Sequence, residues 1–539
     1  MVGPRGVRIV LVVSCLVGVW LCAQEMDAGW RSALYPEDWA PGYQDAEGHF
    51  LHDVSYAGYR NGDVPIPQQV PGLSVEAAVE AGADPAGASD ATPAIQKAIA
   101  LVEKAGGGTV SIPAGSFRCD GLLTVARSGV VLRGAGPEAT RLFFTRVKGM
   151  RGKSHITFRG AVRTAAEFPL ARDGKNLSKT VDITGVDGLA VGDDISVGWV
   201  ITDAFVREHR MEGTWKAFNG KWRPFFRRRI MAVEPVEGGL RLTLDVPLRY
   251  RALVRDKASV RKESGYLTEC GLEGLSVATA VAWDDAWQEN RVHAIALRAV
   301  CDSWVRDVSS YTSPLPEAKG YHLQNGGIYV GDSKRVTVAQ CHMAKAQHRG
   351  GGGCGYLFEI GRSSELLTRD CTGRDGRHNF IQNWDFGTSG CVWLRCTSSG
   401  SRDVKSAKAP ISFAAYCEYH HSLTMACLVD HCVLKDGWYG GNRHHWSSGA
   451  GHSVTQSIYW NTSGGGKIRS WQYGLGYIIG TRDITIKTGK FDRSAQGAGP
   501  EDFVEGKGRG GTLQPQSLYE DQLVCRHARG EWLFQARGE

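Results

Sequence analysis

An all-β fold, one chain wound into a single-stranded parallel β-solenoid, is predicted by three features of the sequence. A short phrase, an apolar residue followed three positions later by a second, returns every 25 to 36 residues. It stands at Leu272/Leu275, Val305/Val308, Val338/Cys341, Thr368/Cys371, Trp393/Cys396 and Val429/Cys432. A fixed period in this range marks a repeat architecture; the phrase is too short for a helical repeat and suits one short strand per coil with its anchors stacked inward. The residue before the second anchor is polar or glycine throughout: Gly274, Asp307, Gln340, Asp370, Arg395 and His431. Third, 539 residues are too many for one ordinary compact domain. A solenoid escapes that limit because each coil packs only on its neighbours, and 69 glycines suit its many turns.

Residues 1–23 read as a secretory signal peptide, with Arg5 and Arg8 ahead of the apolar run Ile9–Leu21 and a cleavage point after Ala23. The run is too short to cross a bilayer, which takes about 20 residues. A secreted or periplasmic protein is therefore expected. Residues 24–70 carry Trp30, Tyr35, Trp39, Tyr43, Tyr56 and Tyr59 among prolines and glycines, the composition of an extended arm that lays its aromatics on a larger body. A helix follows: Thr92 can cap it, Pro93 suits its first turn, Ile95, Ile99 and Val102 share a face, and Gly106–Gly108 end it. Short strands come next, in "GTVSIP", "GLLTVA" and "GVVLRG".

The segment "ASDATPAIQKAIALVEKAGGGTVSIPAGSF" (Ala88–Phe117) resembles the opening of the pectate lyase-like superfamily, which includes rhamnogalacturonase and epimerase-like domains. The likeness lies in an Asp/Thr-rich cap, an "AIQ" helix and "GGGxVxxPxGxF", and the coil pattern extends it to about residue 485. The stretch before the helix departs from the family in carrying a thinner acidic run. The resemblance implies a right-handed parallel β-helix over residues 71–490, with the helix plugging its N-terminal end.

Residues 170–260 interrupt the coil rhythm with paired-strand patterns around "WKAFNGKWRPFFRRRI" and are expected to form a β-rich insertion. Trp222, Arg223, Phe225, Phe226, Arg227, Arg228 and Arg229 would make a basic, aromatic tip. Aromatic faces stack on sugar rings and arginine grips carboxylate or sulfate in two places; the plainer alternative is a solvated charge run. Residues 491–539 read as a C-terminal tail covering the last coil, with "SLYEDQL" a short helix.

Twelve cysteines follow residue 23. Cys341, Cys371, Cys396 and Cys432 fall on one inward column, so most are expected to be free core thiols. No Cys-x-x-Cys with histidine speaks for zinc. The formal net charge of +7 favours anionic partners. With the resemblance, these become acidic polysaccharide rather than nucleic acid, and no membrane after signal removal; the oligomeric state stays open.

Equal offsets from an anchor stack in a solenoid. His348, His378 and Asp403 each lie seven residues past a second anchor, with Arg377 and Arg402 at six. The next coil brings Asp436, then Arg443, His444, His445 and Trp446. Glu418, His420 and His421 can line the same groove. Two chemistries fit an acidic glycan there. In β-elimination, Arg377 or Arg402 neutralises the uronate carboxylate and His378 or His348 takes the neighbouring proton. Hydrolysis needs two carboxylates flanking the bond, for which Asp403, Asp436 and Asp430 are candidates. The superfamily's hydrolase signatures are not found in order, and the coils show no acidic cluster like that of its calcium-dependent lyases. A metal-free lyase is the expectation, with no cofactor and calcium the one ion left open. A hydrolase and a non-catalytic glycan-binding surface protein are the alternatives.

Overall fold

The computed structural model describes residues 29–488 and 499–534, together with Met1 and Gly3. The remainder of the predicted signal peptide lies outside the described residues. The fold is a right-handed parallel β-helix with an antiparallel insertion. Each coil contributes to three faces. On the first face, Leu272, Val305, Val338, Thr368, Trp393 and Val429 stand opposite one another in one unbroken parallel register. The column begins earlier, at Val75, Val110 and Leu132, and runs on through Tyr459, Ile478 and Val504. Neighbouring strands lie about 4.8 Å apart, so every anchor is sealed above and below by another.

The polar position before the second anchor has a geometric reason. Gly274, Asp307, Gln340, Asp370, Arg395 and His431 all have φ between 49° and 63°, the left-handed region. There the chain turns from the first face to the second, and the side chain is thrown outward. Aspartate and glycine suit that conformation; Gln340, Arg395 and His431 adopt it because the ladders on either side fix the bend. Cys341, Cys371, Cys396 and Cys432 lie just inside it; of the twelve described cysteines eleven are buried and Cys525 is half-buried, all unpaired with one another. The backbone N–H of Cys396 donates to Cys432 Sγ at 3.4 Å, one rung of the thiol column.

The helix Thr92–Lys104 closes the N-terminal end and buries Ile95, Ala98, Ile99 and Val102. Its cap differs from the sequence expectation. Asp90 Oδ1 accepts the Thr92 N–H, and the Thr92 hydroxyl instead accepts from Gly121 N.

The arm covers the outside of the first face. Leu34, Tyr35 and Leu51 pack with Trp460, Tyr477 and Ile479, whereas Tyr59 reaches Val131 and Trp304 several coils away. The C-terminal helix Leu518–Ala528 lies on the same face.

The insertion is a six-stranded antiparallel sheet, Arg163–Pro169, Ser259–Ser264, Asp194–Val200, Trp222–Val236, Gly239–Leu244 and Thr180–Thr184 in spatial order. It docks on the corner between the third and first faces. Ser389 Oγ donates to Phe225 O and Arg227 N donates to Ser364 Oγ. The third face remains open: strands Tyr356–Gly361, His378–Gln382, Cys417–Tyr419 and Trp438–Gly440 run side by side there.

Candidate functional site

With the first face covered, the chemistry-bearing side chains gather on the third. Phe358 and Phe380 point inward, where their rings stack at 4.9 Å. Alternation is broken just before Phe358, since adjacent Leu357 is also in the core, and Tyr356 and His378, opposite each other in register, stand outside that core. A cavity of about 280 Å³ opens over them, lined by Arg291, Gly352, Gly353, Tyr356, Arg377, Asn383, Trp384, His420, His421, Ser447 and Ser448. The insertion props one wall. Trp215 Nε1 donates to Ala450 O beneath the 443–448 loop, and Phe218 packs on Trp384.

Glu418, 1% exposed, is buried behind the lining and is shared by three neighbouring side chains. Arg443 pairs with its Oε1, whereas His378 Nε2 and His420 Nε2 lie 3.5 and 3.9 Å from its Oε2. The hydrogen-bond partners fix the tautomers. A carbonyl only accepts, so His378 Nδ1 carries the hydrogen it donates to Tyr416 O at 2.6 Å. By the same logic His421 Nε2–H donates to Ser447 O at 2.8 Å. The Nδ1 of neutral His421 is then a lone pair and accepts from His420 Nδ1–H at 2.6 Å. Both His378 and His420 therefore present an unprotonated Nε2, that of His420 lying 3.4 Å from the Ser447 hydroxyl. Behind them, Asn383 Nδ2 donates to Glu359, which pairs with His293 at 2.7 Å.

Electrostatics keep these rings neutral. Burial, then the Arg377 charge, pushes His378 well below the usual 6.5; burial, then His421, His378 and Arg377, does the same to His420. Burial takes His421 down to about 4. Tyr356 is pushed up to about 12 by burial, against the opposing pull of Arg377. At neutral pH the cavity thus holds two uncharged imidazole bases, a protonated phenol and two guanidiniums.

The sequence candidates distribute unevenly around it. Arg377, His378, Arg443 and His421 are in or against the cavity. His348 sits at its rim, stacked on Trp287 at 4.2 Å and bonded to Asn290, its pKa lowered to about 4 by burial and Arg377. Asp403 also reaches the rim, 3.4 Å from Arg377 Nε. Arg402 is exposed on the adjoining hairpin Arg402–Val404/Ser412–Ala414. His444, His445 and Trp446 are exposed on the 443–448 loop, where Trp446 is 68% accessible.

Several expectations are corrected. Asp436 Oδ2 accepts from Asn379, Ser398 and Ser401, which makes it a corner brace. Asp430 holds the start of the C-terminal helix through Ser517 Oγ and Tyr519 N on the far face. The basic, aromatic tip does not exist, because "WRPFFRRR" is a strand sandwiched between insertion and solenoid. There Arg227 is buried against Glu263 and Tyr266, Arg223 bonds Asp385, Trp222 Nε1 bonds Ser259, and Phe225 stacks on Trp199 at 3.6 Å.

Sequence reasoning missed Tyr356, Glu359, His293, Asn383, Trp384 and Arg291. The signal that finds the first is the paired third-face phrase, Tyr356-x-Phe358 over His378-x-Phe380. Among the described residues, one acid and histidine trio is close enough to share a cation, Asp45, Glu47 and His49 on the arm.

No family profile and no curated protein matches this chain. Solved structures do, at low identity. The tailspike protein gp49 of Pseudomonas phage LKA1 is 14% identical over 76% of this chain, with a TM-score of 0.47. The chain spans 64% of the length of that protein. The Gp54 tailspike of Acinetobacter baumannii bacteriophage AP22, solved with capsular saccharide, is 10% identical over 87% of this chain and 72% of its own, with a TM-score of 0.42. The mannuronan C-5 epimerase AlgE4 A-module of Azotobacter vinelandii is 11% identical over 80% of this chain and 87% of its own, at 0.27. The likeness is one of fold. The third-face cavity is described from this chain's own residues.

Proposed function

We propose that the chain is an exported carbohydrate-active enzyme that cleaves an anionic, uronate-type polysaccharide by β-elimination in the third-face cavity. The observation that carries this reading is the convergence of two unprotonated Nε2 atoms with Arg377, Arg443 and a protonated Tyr356. Export rests on the N-terminal signal pattern; among the described residues no helix is long and apolar enough to cross a membrane.

The chemistry follows from the charges. A guanidinium on the substrate carboxylate withdraws electron density and makes the C5 proton more acidic. Arg377, whose charge already acts on His378, His420 and Tyr356, takes that task. His420 Nε2 removes the proton, and the resulting imidazolium faces Glu418. The C5–H electrons form the C4–C5 double bond, the C4–O bond breaks, and the leaving oxygen takes the Tyr356 proton. A neutral base and a protonated acid are the forms that this step requires at neutral pH. Exposed Trp446 at the mouth supplies a face for a sugar ring.

A second reading has its own observation. Glu359 and Glu418 share one outward column two coils apart, with Ile381 between them, about 10 Å and near the range of an inverting hydrolase. Both carboxylates are already engaged by His293 and Arg443, which favours elimination. Incubation with a panel of uronate polymers decides between them. Near-UV absorbance of an unsaturated product, abolished by His420→Ala, is expected. New reducing ends without that absorbance would make the protein a hydrolase. Glycan binding with no product from any polymer would make it a binding protein.

A further inference from the structure

A larger cavity lies elsewhere, a cleft of about 1120 Å³ between the capping helix, the corner of the first coils and the root of the insertion. Lys104, Arg127, Arg159 and Arg163 ring it, all exposed, and among the described residues no ion pair or hydrogen bond engages any of the four side-chain charges. Glu103 is the one acid of the lining, and its carboxylate accepts from the N–H of Ala126, another lining residue, at 2.6 Å. Four unpaired cations against one carboxylate leave a net positive field in this concavity.

The cleft is also in line with the third-face cavity. Arg159 stands opposite Arg298, Arg298 opposite Gly331, and Gly331 opposite Gly361. Ile360 faces Gln382, so the next step of the column is Asn383, which lines the cavity. Four steps make about 19 Å. Along that lane the Arg298 guanidinium lies over the Tyr329 ring at 4.4 Å, and Tyr329 itself fills the space that side chains at Gly331 and Gly361 would take. The floor is flat, with a cation partway along.

We propose that this cleft is a second binding site for the anionic polysaccharide, holding a stretch of polymer that continues along the lane to the cavity. The assignment rests on the reading of the substrate above. Tyr266 is the cleft's one aromatic residue, a lining of hydroxyl, backbone and cations that suits carboxylated sugars better than stacked bases.

The test is affinity electrophoresis of the full chain through gels containing polygalacturonate, alginate or DNA, with K104Q/R127Q/R163Q, His420→Ala and wild type side by side. These three exposed positions lie outside the cavity, and circular dichroism checks the fold. Expected is retardation of wild type and His420→Ala by a uronate polymer, with apparent affinity down about tenfold in the triple variant. The triple variant's rate on a short oligosaccharide should equal that of wild type. Equal retardation of triple variant and wild type overturns the proposal while leaving the catalytic reading intact. Triple-sensitive retention without product from any polymer supports the cleft and sinks the enzyme. Triple-sensitive retention by DNA alone, or no retention by any uronate polymer, also overturns it.

Discussion

Asp430→Asn separates a structural from a catalytic carboxylate. Asp430 is fully buried, and burial raises it from an ordinary 3.8 to about 7, although Tyr519 N and Ser517 Oγ donate to it. Between those two values the folded chain holds a proton that the unfolded chain has released. Its contribution to stability is therefore fully present below pH 3.8 and is lost as pH rises towards 7. At about 1.4 kcal/mol per unit the loss is about 4 kcal/mol. Asparagine keeps the acceptor oxygen and has no charge to bury. The stability of D430N relative to wild type should thus climb by about 4 kcal/mol between pH 4 and 8. The buried histidines contribute the opposite slope, but equally in both proteins, so the difference isolates Asp430. Guanidinium unfolding of both at stepped pH measures it. A difference that stays constant across the range would mean that Asp430 remains ionised at the helix start. A loss of activity with an unchanged stability profile would return it to the list of catalytic acids.

Because His420 is held well below 6.5 and Tyr356 near 12, kcat/KM should vary less than about twofold between pH 6.5 and 9. A bell with both limbs between pH 6 and 8 would contradict the assignment of base and acid. Arg443→Met leaves Glu418 buried beside two neutral imidazoles and should cost about 3–5 kcal/mol. It should also raise the pKa of a histidine read by NMR, which loss of packing alone would not do. The thiols above the usual range, Cys371, Cys396 and Cys432 among them, should resist a disulfide reagent in the native protein and react only on unfolding. Rapid native labelling of more than the half-buried Cys525 would show that the column is open to solvent.

Much of the coil was legible because stacking repeats the same demand at every level. Leu272, Val305 and Val338 must be apolar for one reason, and the bend before Cys371 or Cys432 recurs with its left-handed backbone. The candidate site was legible where its strand began soon after an anchor, as at Arg377 and His378. It was hidden where a loop intervened. Tyr356 lies fifteen residues past Cys341, whereas His378 lies seven past Cys371. A fixed offset therefore lands on His348 at the rim and misses the phenol beneath it. "WRPFFRRR" misled for a different reason. Arginines beside aromatics look solvated until buried acids appear opposite them, and Glu263, opposite Arg227, and Glu365, opposite Arg228, come from far along the chain. Pairing across such distances leaves no local mark.

Solenoids ordinarily lose their coils one at a time from an end, since each coil knows only its neighbours. The arm changes that economy of contacts. It is one continuous strap, touching Tyr477 at Phe50, Glu365 at Gly58 and Glu269 at Arg60. Coils that share no atoms thereby share a strap, and fraying at the C-terminal end must peel it from the cap-proximal coils as well. The third-face cavity sits midway along this bound stack, on the stretch least free to breathe.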